Sequence, residues 1–229
     1  MMVDLSAIAA AMPFLLKGLW FTVQITLVGV TGGIVFGSLL AVARLSRHRL
    51  LATLATVYVN VMRSIPLILV IFWVFFLVPW AIGWITRSPR PVAVGASLTI
   101  FVTFVLFEAA YYAEIVRAGF RSISSGQYAA CEALGLSKFS AYLYILFPQA
   151  IRNVLPILLT QTIILFQDTS LVYVISATDL LGAATKVAQR DGRLVEMYLT
   201  VGLIYFLFCY TASQLVKRLQ GRLAYGARS

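Results

Sequence analysis

Long uncharged stretches alternate with short charged clusters along the chain, and this alternation predicts its elements. Five stretches approach or exceed the roughly 20 residues of helix that cross about 30 Å of hydrocarbon. They predict spans at about 18–43, 64–86, 91–116, 153–177 and 196–216. Backbone polar groups in lipid must be satisfied within the segment, so each span is predicted to be an α-helix. The pattern predicts an all-α membrane protein with one transmembrane domain over residues 1–229.

Composition agrees with this interpretation and excludes most soluble folds. Of the 229 residues, 61% are hydrophobic and 11% are charged, whereas a soluble domain carries about 25% charged residues. A net charge of +10 could indicate nucleic-acid binding. However, the cations lie singly or in small groups at the ends of apolar stretches, where they would lie at lipid headgroups. We therefore expect a lipid bilayer and no nucleic acid around this chain.

The distribution of lysine and arginine predicts the orientation, because these residues are more frequent on the cytoplasmic side. Twelve fall on the side that carries the C-terminus, and six fall on the other side. The twelve are Arg44, Arg47, Arg49, Arg63, Arg117, Arg121, Lys138, Arg152, Lys217, Arg218, Arg222 and Arg228, and the six are Lys17, Arg87, Arg90, Lys186, Arg190 and Arg193. The count predicts an outer N-terminus, a cytoplasmic C-terminus and a long cytoplasmic loop at 118–151.

This loop is predicted to contain two short helices. Ser124 and Gln127 have capping-box spacing at a helix start, and Gly135 is a natural C-terminal stop. A second helix is predicted from Ser137 to near Pro148. Small residues form the surface of the first helix, namely Ala129, Ala130, Cys131 and Ala133. The loop is either an amphipathic connector on the bilayer surface or a protruding docking element for a cytoplasmic partner.

The same loop resembles the signature of permease subunits of ATP-driven (ABC) importers, which is Glu-Ala-Ala, three residues, Gly, nine residues, Ile, one residue and Leu-Pro. Four positions match in register, namely Ala130, Gly135, Ile145 and Pro148. Three depart from it, namely Ala129 in place of Glu, Cys131 in place of Ala and Phe147 in place of Leu. Because that Glu is the polar anchor of the family's helix, the resemblance implies a more apolar docking contact here.

Further motifs resemble the polar amino acid uptake branch of this family, and within it the glutamate/aspartate permease subunits. They include Tyr-Ala-Glu-Ile-Val-Arg at 112–117, Gln-Asp-Thr-Ser-Leu at 167–171, Arg-Ser-Ile-Pro at 63–66 and Arg-Asp-Gly at 190–192. The resemblance implies the type I ABC importer permease fold in the inner membrane. It places the ATPase-coupling loop at Ser124, Gly126, Gln127, Ala129, Ala130, Cys131, Gly135 and Leu136.

The resemblance also implies an assembly. The expected partners are a second, similar but different permease chain, two ATPase subunits and an extracytoplasmic amino acid binding protein. ATP and Mg²⁺ would be bound by the ATPase subunits and no cofactor by this chain. The sequence agrees, because a phosphate-binding loop requires Gly-Lys-Ser/Thr after its glycine spacing, and Ser38 and Leu39 follow Gly37 instead.

Two other classes of function are considered. A self-sufficient secondary transporter would carry inverted repeats with broken helices in matching halves, and no internal repeat is found. A membrane enzyme would need a nucleophile paired with a base, or a metal cluster. His48 is the single histidine and lies among arginines, so we expect neither catalytic residues nor a metal site.

Polar residues at membrane depth are the candidates for the transport pathway. An acid facing lipid at a helix centre costs about 2.5–3.5 kcal/mol, so Glu108, Glu114 and Asp168 should face protein or water. Each could be a structural acid paired with Arg117, Arg63 or a partner chain, or could line a pathway. We select Arg63, Glu108, Gln161 and Asp168 as candidate pathway or intramembrane polar residues. Acids in a path for acidic cargo pose an electrostatic conflict, and Arg63 is the nearest cation to offset it.

Two further features concern packing. Gly29, Gly33 and Gly37 recur every four residues and predict a helix face that another helix can approach closely. An apolar stripe before Arg63 predicts a short amphipathic helix, consisting of Leu50, Leu51, Leu54, Tyr58, Val61 and Met62. This helix either lies along the cytoplasmic face or lengthens the second span.

Overall fold

The computed structural model describes residues 5–92 and 94–225, and within those ranges the chain is helical and contains no β-strand. The α-helices are α1 (Leu5–Arg44), α2 (Arg49–Ser64), α3 (Leu67–Ile85), α4 (Ala96–Arg121), α5 (Ser125–Ala133), α6 (Lys138–Ala141), α7 (Phe147–Asp168), α8 (Leu180–Asp191) and α9 (Leu194–Tyr225). A π-helical segment, Tyr142–Leu146, joins α6 to α7, and a 3₁₀ helix, Thr169–Ile175, follows α7.

Five helical stretches are long and apolar enough to cross a membrane, as the pattern predicts. They are α1, α3, α4, the stretch Lys138–Ile175 that contains α7, and α9. Several helices extend beyond the predicted spans, since α1 already begins at Leu5 and α4 ends at Arg121. Hydropathy marks the part of a helix at hydrocarbon depth, whereas the backbone continues into the headgroup region. At its other end α4 starts at Ala96 rather than residue 91, with Gly95 as its N-cap.

Helix α4 lies at the centre of the bundle and contacts α1, α2, α3 and α7. Its largest interface is with the glycine face of α1. A methyl group added at Gly37 would lie 2.8 Å from the carbonyl oxygen of Ala109 and 2.8 Å from the amide nitrogen of Ala113. One added at Gly33 would lie 2.8 Å from the ring of Tyr112. The predicted close approach to this face is confirmed.

Two apolar clusters flank this interface, and α1 contributes to both. The first joins the N-terminal half of α1 to α8 and α9, through Leu15, Leu180, Ala184 and Met197. The second joins the middle of α1 to α3, α4 and α7, through Ile25, Ile71, Phe104 and Leu165. Packing in membranes depends on close contact rather than on exclusion of water. Because α1 packs in both clusters, it connects them.

The predicted short helix before Arg63 is present as α2, and the extended backbone at Ile65 and Pro66 separates it from α3. Its buried residues differ from the predicted stripe. Ala55 and Val59 are buried, Val59 against α4, whereas Leu50 is exposed. The prediction missed this face because alanine adds little to an apolar pattern but permits helices to approach closely.

The prediction that the second loop helix ends near Pro148 is wrong. Helical backbone continues from Lys138 to Asp168, and Pro148 lies in the first turn of α7. The π-helical segment explains this, because the amide of Phe147 donates to the carbonyl of Tyr142, five residues earlier. Proline is tolerated in the first turn of a helix, where its missing N–H needs no partner. The widened turn therefore provides a new helix start at Phe147.

A buried carboxylate begins α8. Asp179 accepts hydrogen bonds from the amides of Leu181 and Gly182, both at 3.0 Å. Burial raises the pKa of this carboxyl to about 6. The neighbouring amide of Leu180 donates to the Thr22 hydroxyl at 3.1 Å, so the start of α8 is attached to α1.

Candidate functional site

Helix α5 carries most of the predicted coupling residues, and it begins where the sequence predicts. Ser124 is its N-cap residue, but the side chain of Ser124 makes no capping hydrogen bond. The side-chain amide of Gln127 instead accepts a hydrogen bond from Gln149 of α7 at 3.1 Å. The predicted capping box is therefore wrong, because α7 offers Gln127 a partner that sequence spacing does not reveal.

The predicted stop at Gly135 is confirmed. Gly135 has a φ of +68°, a conformation that costs a side chain with a Cβ about 1–2 kcal/mol. Its backbone amide donates to the backbone carbonyl of Glu132 at 2.9 Å, and the amide of Leu136 donates to the backbone carbonyl of Cys131 at 3.1 Å. This is the Schellman arrangement, which satisfies the last carbonyls of the helix.

Most of the small-residue surface of α5 is exposed. Ala129, Ala130 and Gly126 are exposed, together with Ser124 and Gln127. Cys131 is the exception among the predicted coupling residues, since it is buried in a cluster beneath α5 and cannot contact a partner directly. That cluster consists of Ile123, Cys131, Ala141, Leu146 and Ala150.

Large apolar side chains next to α5 are also exposed. Leu134 is 75% exposed, Phe139 is 74% exposed and Tyr144 is 73% exposed. Phe139 also lines an apolar groove with Phe120, Tyr142, Leu143 and Phe147. An apolar groove with exposed apolar side chains of this kind marks a contact with a protein or a membrane. We call the exposed face of α5 with Leu134, Phe139 and Tyr144 the loop surface.

Side-chain contacts attach the end of α4, which leads into α5, to the first turns of α7. Asn153 of α7 donates to the Ser122 hydroxyl at the end of α4, at 2.8 Å. A methyl group at Gly119 of α4 would lie 2.7 Å from Val154 of α7. The end of α4, helix α5 and the start of α7 therefore form one packed unit.

A second group of polar residues lies within the spans. Gln161 of α7 donates to both carboxylate oxygens of Glu108 on α4, at 3.1 and 3.3 Å. Glu108 is fully buried, and the bifurcated bond supplies the partner that an acid at membrane depth needs. Asp168 is the last residue of α7, where the helix tightens into the 3₁₀ segment.

Tyr111 connects the predicted residues of this group. The guanidinium of Arg63 lies 5.7 Å from the centre of its ring, within the range of a cation–π contact. Glu108 lies one turn before Tyr111 on α4. We call Arg63, Glu108, Tyr111, Gln161 and Asp168 the polar cluster. Sequence reasoning missed Tyr111, although an aromatic residue three positions after a membrane acid lies on the same helix face.

Glu114 lies six residues after Glu108, on another face of α4, and has different partners. Arg44, the last residue of α1, donates to Glu114 Oε2 at 2.5 Å. Arg117 donates to both carboxylate oxygens of Glu114, at 3.3 Å from its Nε. The predicted pairing with Arg117 is confirmed, whereas Arg44 was assigned only to the lipid headgroups.

Among residues 5–92 and 94–225, no three His, Cys, Asp or Glu side chains come together as a metal site would require. The side chains of the two sites can provide charge, hydrogen bonds and apolar contact, which suffice for docking and for guiding a polar solute.

Comparison with known proteins places these two sites in context. Residues 33–225 match the family described as binding-protein-dependent transport system inner membrane component. The chain is 46% identical to the glutamate/aspartate import permease protein GltK of Escherichia coli O6:H1, over 96% of this chain and 98% of GltK. It is 32% identical to the glutamine transport system permease protein GlnP of Escherichia coli K12, over 97% of this chain and 99% of GlnP.

Solved structures show the same fold. A crystal structure of an amino acid ABC transporter with histidines superposes with a TM-score of 0.86 at 28% identity, over 97% of this chain and 100% of that chain. An inward-facing structure of the MetNI methionine ABC transporter superposes with a TM-score of 0.67 at 21% identity, over 91% and 97%. The second likeness concerns the fold alone.

Proposed function

The chain belongs to the binding-protein-dependent transport system inner membrane component family and is a membrane permease subunit of an ABC amino acid importer, and on this premise we propose that it carries glutamate and aspartate. The observation that supports this cargo is the 46% identity to a glutamate/aspartate import permease over 96% of the chain. Relatives with other cargoes, such as the glutamine permease, are 32% identical.

We propose that the polar cluster lines the pathway for this cargo, with Asp168 as a structural acid of the cluster. Anionic substrates require cations or hydrogen-bond donors. Arg63 is exposed beside Tyr111 and supplies the positive charge. The carboxylate of Glu108 is buried within the bundle and accepts from Gln161, so the cargo would not contact it and the amide donor offsets part of its negative charge. This arrangement offers one solution to the electrostatic conflict in the sequence.

The work of transport is proposed to come from separate ATPase subunits that dock on the loop surface. The support is the exposure of small residues on α5 beside large exposed apolar side chains. Gln127 attaches α5 to α7, and Ser122 attaches the end of α4 to α7, so displacement of α5 would move α4 and α7 together. Rigid-body rocking of packed helices is a usual way for a transporter to expose its pathway alternately.

The remaining subunits and the orientation are proposals as well. A second permease chain would face this one across the pathway, and an extracytoplasmic binding protein would deliver the amino acid. The excess of cations on the C-terminal side supports an outer N-terminus and a cytoplasmic C-terminus. A cysteine placed at Ser140 should therefore resist an impermeant maleimide added to intact cells. Labelling at that position from outside would overturn both the orientation and the loop assignment.

Uptake by the reconstituted assembly tests the proposed function. Proteoliposomes with both permease chains and the ATPase subunits, supplied with binding protein and internal ATP, should accumulate radiolabelled glutamate. Unlabelled aspartate should compete, whereas arginine and histidine should not. Competition by a basic or neutral amino acid in preference to aspartate would overturn the cargo. Uptake without ATP would instead favour a secondary transporter.

A further inference from the structure

Three side chains join the cytoplasmic ends of α1 and α4, two spans that also share the largest helix–helix interface among the described residues. Glu114 of α4 accepts from Arg44 of α1 at 2.5 Å and from Arg117 of α4. The three side chains are only 11–24% exposed. An ion pair that is shielded in this way is weakened less by salt and water than an exposed pair. The contact between Arg44 and Glu114 is therefore a real constraint on the two helix ends.

The position of this contact is unusual, because Arg44 is the last residue of α1. Above it the two helices are held by backbone contact at Gly37, and beyond it the chain leaves the helix. Glu114 lies two turns before the end of α4, which continues into Ser122 and the loop surface. The ion pair thus joins the last residue of α1 to the part of α4 that leads into the loop surface.

We propose that Glu114 is a positioning residue for transport, because its ion pair with Arg44 makes α1 move with the loop surface. The proposal rests on the proposed function, in which displacement of α5 drives transport. With the pair intact, a displacement of α4 carries the cytoplasmic half of α1 with it. Without the pair, the glycine interface still holds the upper part of α1, but its lower end no longer follows α4.

Arg117 has a supporting role in this arrangement. It lies three residues after Glu114 on the same helix, so its bonds can orient the carboxylate but cannot join two helices. Removal of Arg44 and removal of Arg117 should therefore differ, although both arginines contact the same acid. A larger effect of removing Arg44 than of removing Arg117 would show that the link between helices matters, and not only a positive charge near Glu114.

The first experiment measures the ratio of amino acid transported to ATP hydrolysed by the reconstituted assembly. Arg44→Met and Glu114→Gln should each lower this ratio about tenfold, the loss expected for one partner of a charged hydrogen bond. Hydrolysis stimulated by the binding protein should continue. The double variant should be no worse than the worse single variant, because both remove one contact. Glu114→Asp should recover part of the ratio, and Arg47→Met, a neighbouring exposed cation, should leave it unchanged.

A second measurement does not depend on transport. Nitroxide labels at Leu45 and Ala118, with Cys131 and Cys209 replaced by alanine, report the spacing of the two helix ends. Glu114→Gln should reduce their dipolar broadening, and Arg117→Met should reduce it less. Equal loss of uptake and hydrolysis with unchanged spectra would overturn the proposal and leave Glu114 a structural acid. Failure of the unmodified assembly to transport would overturn the proposed function instead, while the spectra would still test the link.

Discussion

Two small-residue surfaces of this chain have similar composition but differ in what covers them. The glycine face of α1 is closed by α4, whose backbone leaves no room for a methyl group at Gly37. The face of α5 with Ala129 and Ala130 is exposed, and large exposed apolar side chains lie beside it. Small residues permit close approach in both places, but only the first approach occurs within this chain. We interpret the second surface as one that another polypeptide completes.

The two acids of α4 differ in a similar way. Glu108 accepts from a neutral amide, whereas Glu114 accepts from two arginines. The first arrangement leaves the carboxylate shielded but uncompensated, and the second neutralises it between two helices. One helix thus carries both a polar group at membrane depth and a link between helix ends.

The largest effect is expected when the closed surface is filled. Gly37→Val would force its Cβ against the backbone of Ala109 and Ala113, which cannot yield as a flexible side chain could. Overpacking costs at least about 1–3 kcal/mol, so little folded protein should reach the membrane. Size-exclusion profiles of a fluorescent fusion in mild detergent measure the amount of folded protein.

A matched control lies on α9. At Gly202 no atom lies within 4 Å of an added Cβ, so Gly202→Val should keep a normal profile. Equal profiles for the two valine variants would show that α1 and α4 are not in backbone contact.

A loss of uptake without a loss of protein is expected at the open surface. Gly135→Val places a β-branched residue at a φ of +68°, which should distort the end of α5 while the spans insert normally. Uptake should fall to background, with the ATPase lost from pull-downs or hydrolysing without transport. Gly135→Asn, which tolerates this conformation, should retain most of the uptake. Normal uptake by Gly135→Val would make the loop a simple connector.

A moderate effect is expected at Asp168, where two interpretations differ. If Asp168 is a structural acid, Asp168→Asn keeps hydrogen-bonding capacity at reduced strength, a loss of about 1 kcal/mol. Membrane abundance should then fall for every cargo alike, as immunoblots and uptake of two amino acids would show. This is the outcome we expect. A changed ratio of glutamate to glutamine uptake at constant abundance would instead place Asp168 in the substrate site.

The smallest effect is expected where α5 is attached to α7 by a single exposed hydrogen bond. Gln127→Leu removes the acceptor of the 3.1 Å bond from Gln149. Such bonds contribute about 0.5–1.5 kcal/mol, and exposure to water places this one at the lower end. Initial uptake rates should fall by less than about threefold. Gln149→Leu should match it, and a double variant with an additive loss would mean that the residues act separately.

Features that depend on one residue or on local periodicity were predictable from the sequence. The number of spans follows from hydropathy, because the cost of a charge in lipid is large and independent of the neighbouring helices. The stop at Gly135 follows from the conformational freedom of glycine. The face at Gly33 and Gly37 follows from the helical period, since no other residue leaves the backbone bare.

Features that depend on competition between partners were not predictable. Gln127 has capping-box spacing, yet its amide bonds to Gln149 because α7 lies beside α5. Cys131 belongs to an apparent surface of small residues, yet it faces the cluster beneath α5. Pro148 does not end its helix, because the π-helical segment before it supplies a new start.

The polar residues show most clearly which features the sequence determines and which depend on the tertiary structure. The sequence alone determined that Glu108 and Glu114 must have partners, because an unpaired acid at membrane depth is costly. Only the tertiary structure decided that these partners are Gln161 for the first acid and Arg44 for the second. The physical reason is that the cost of burying a charge belongs to one residue. The choice among available donors depends on which helices the packing of small residues brings together.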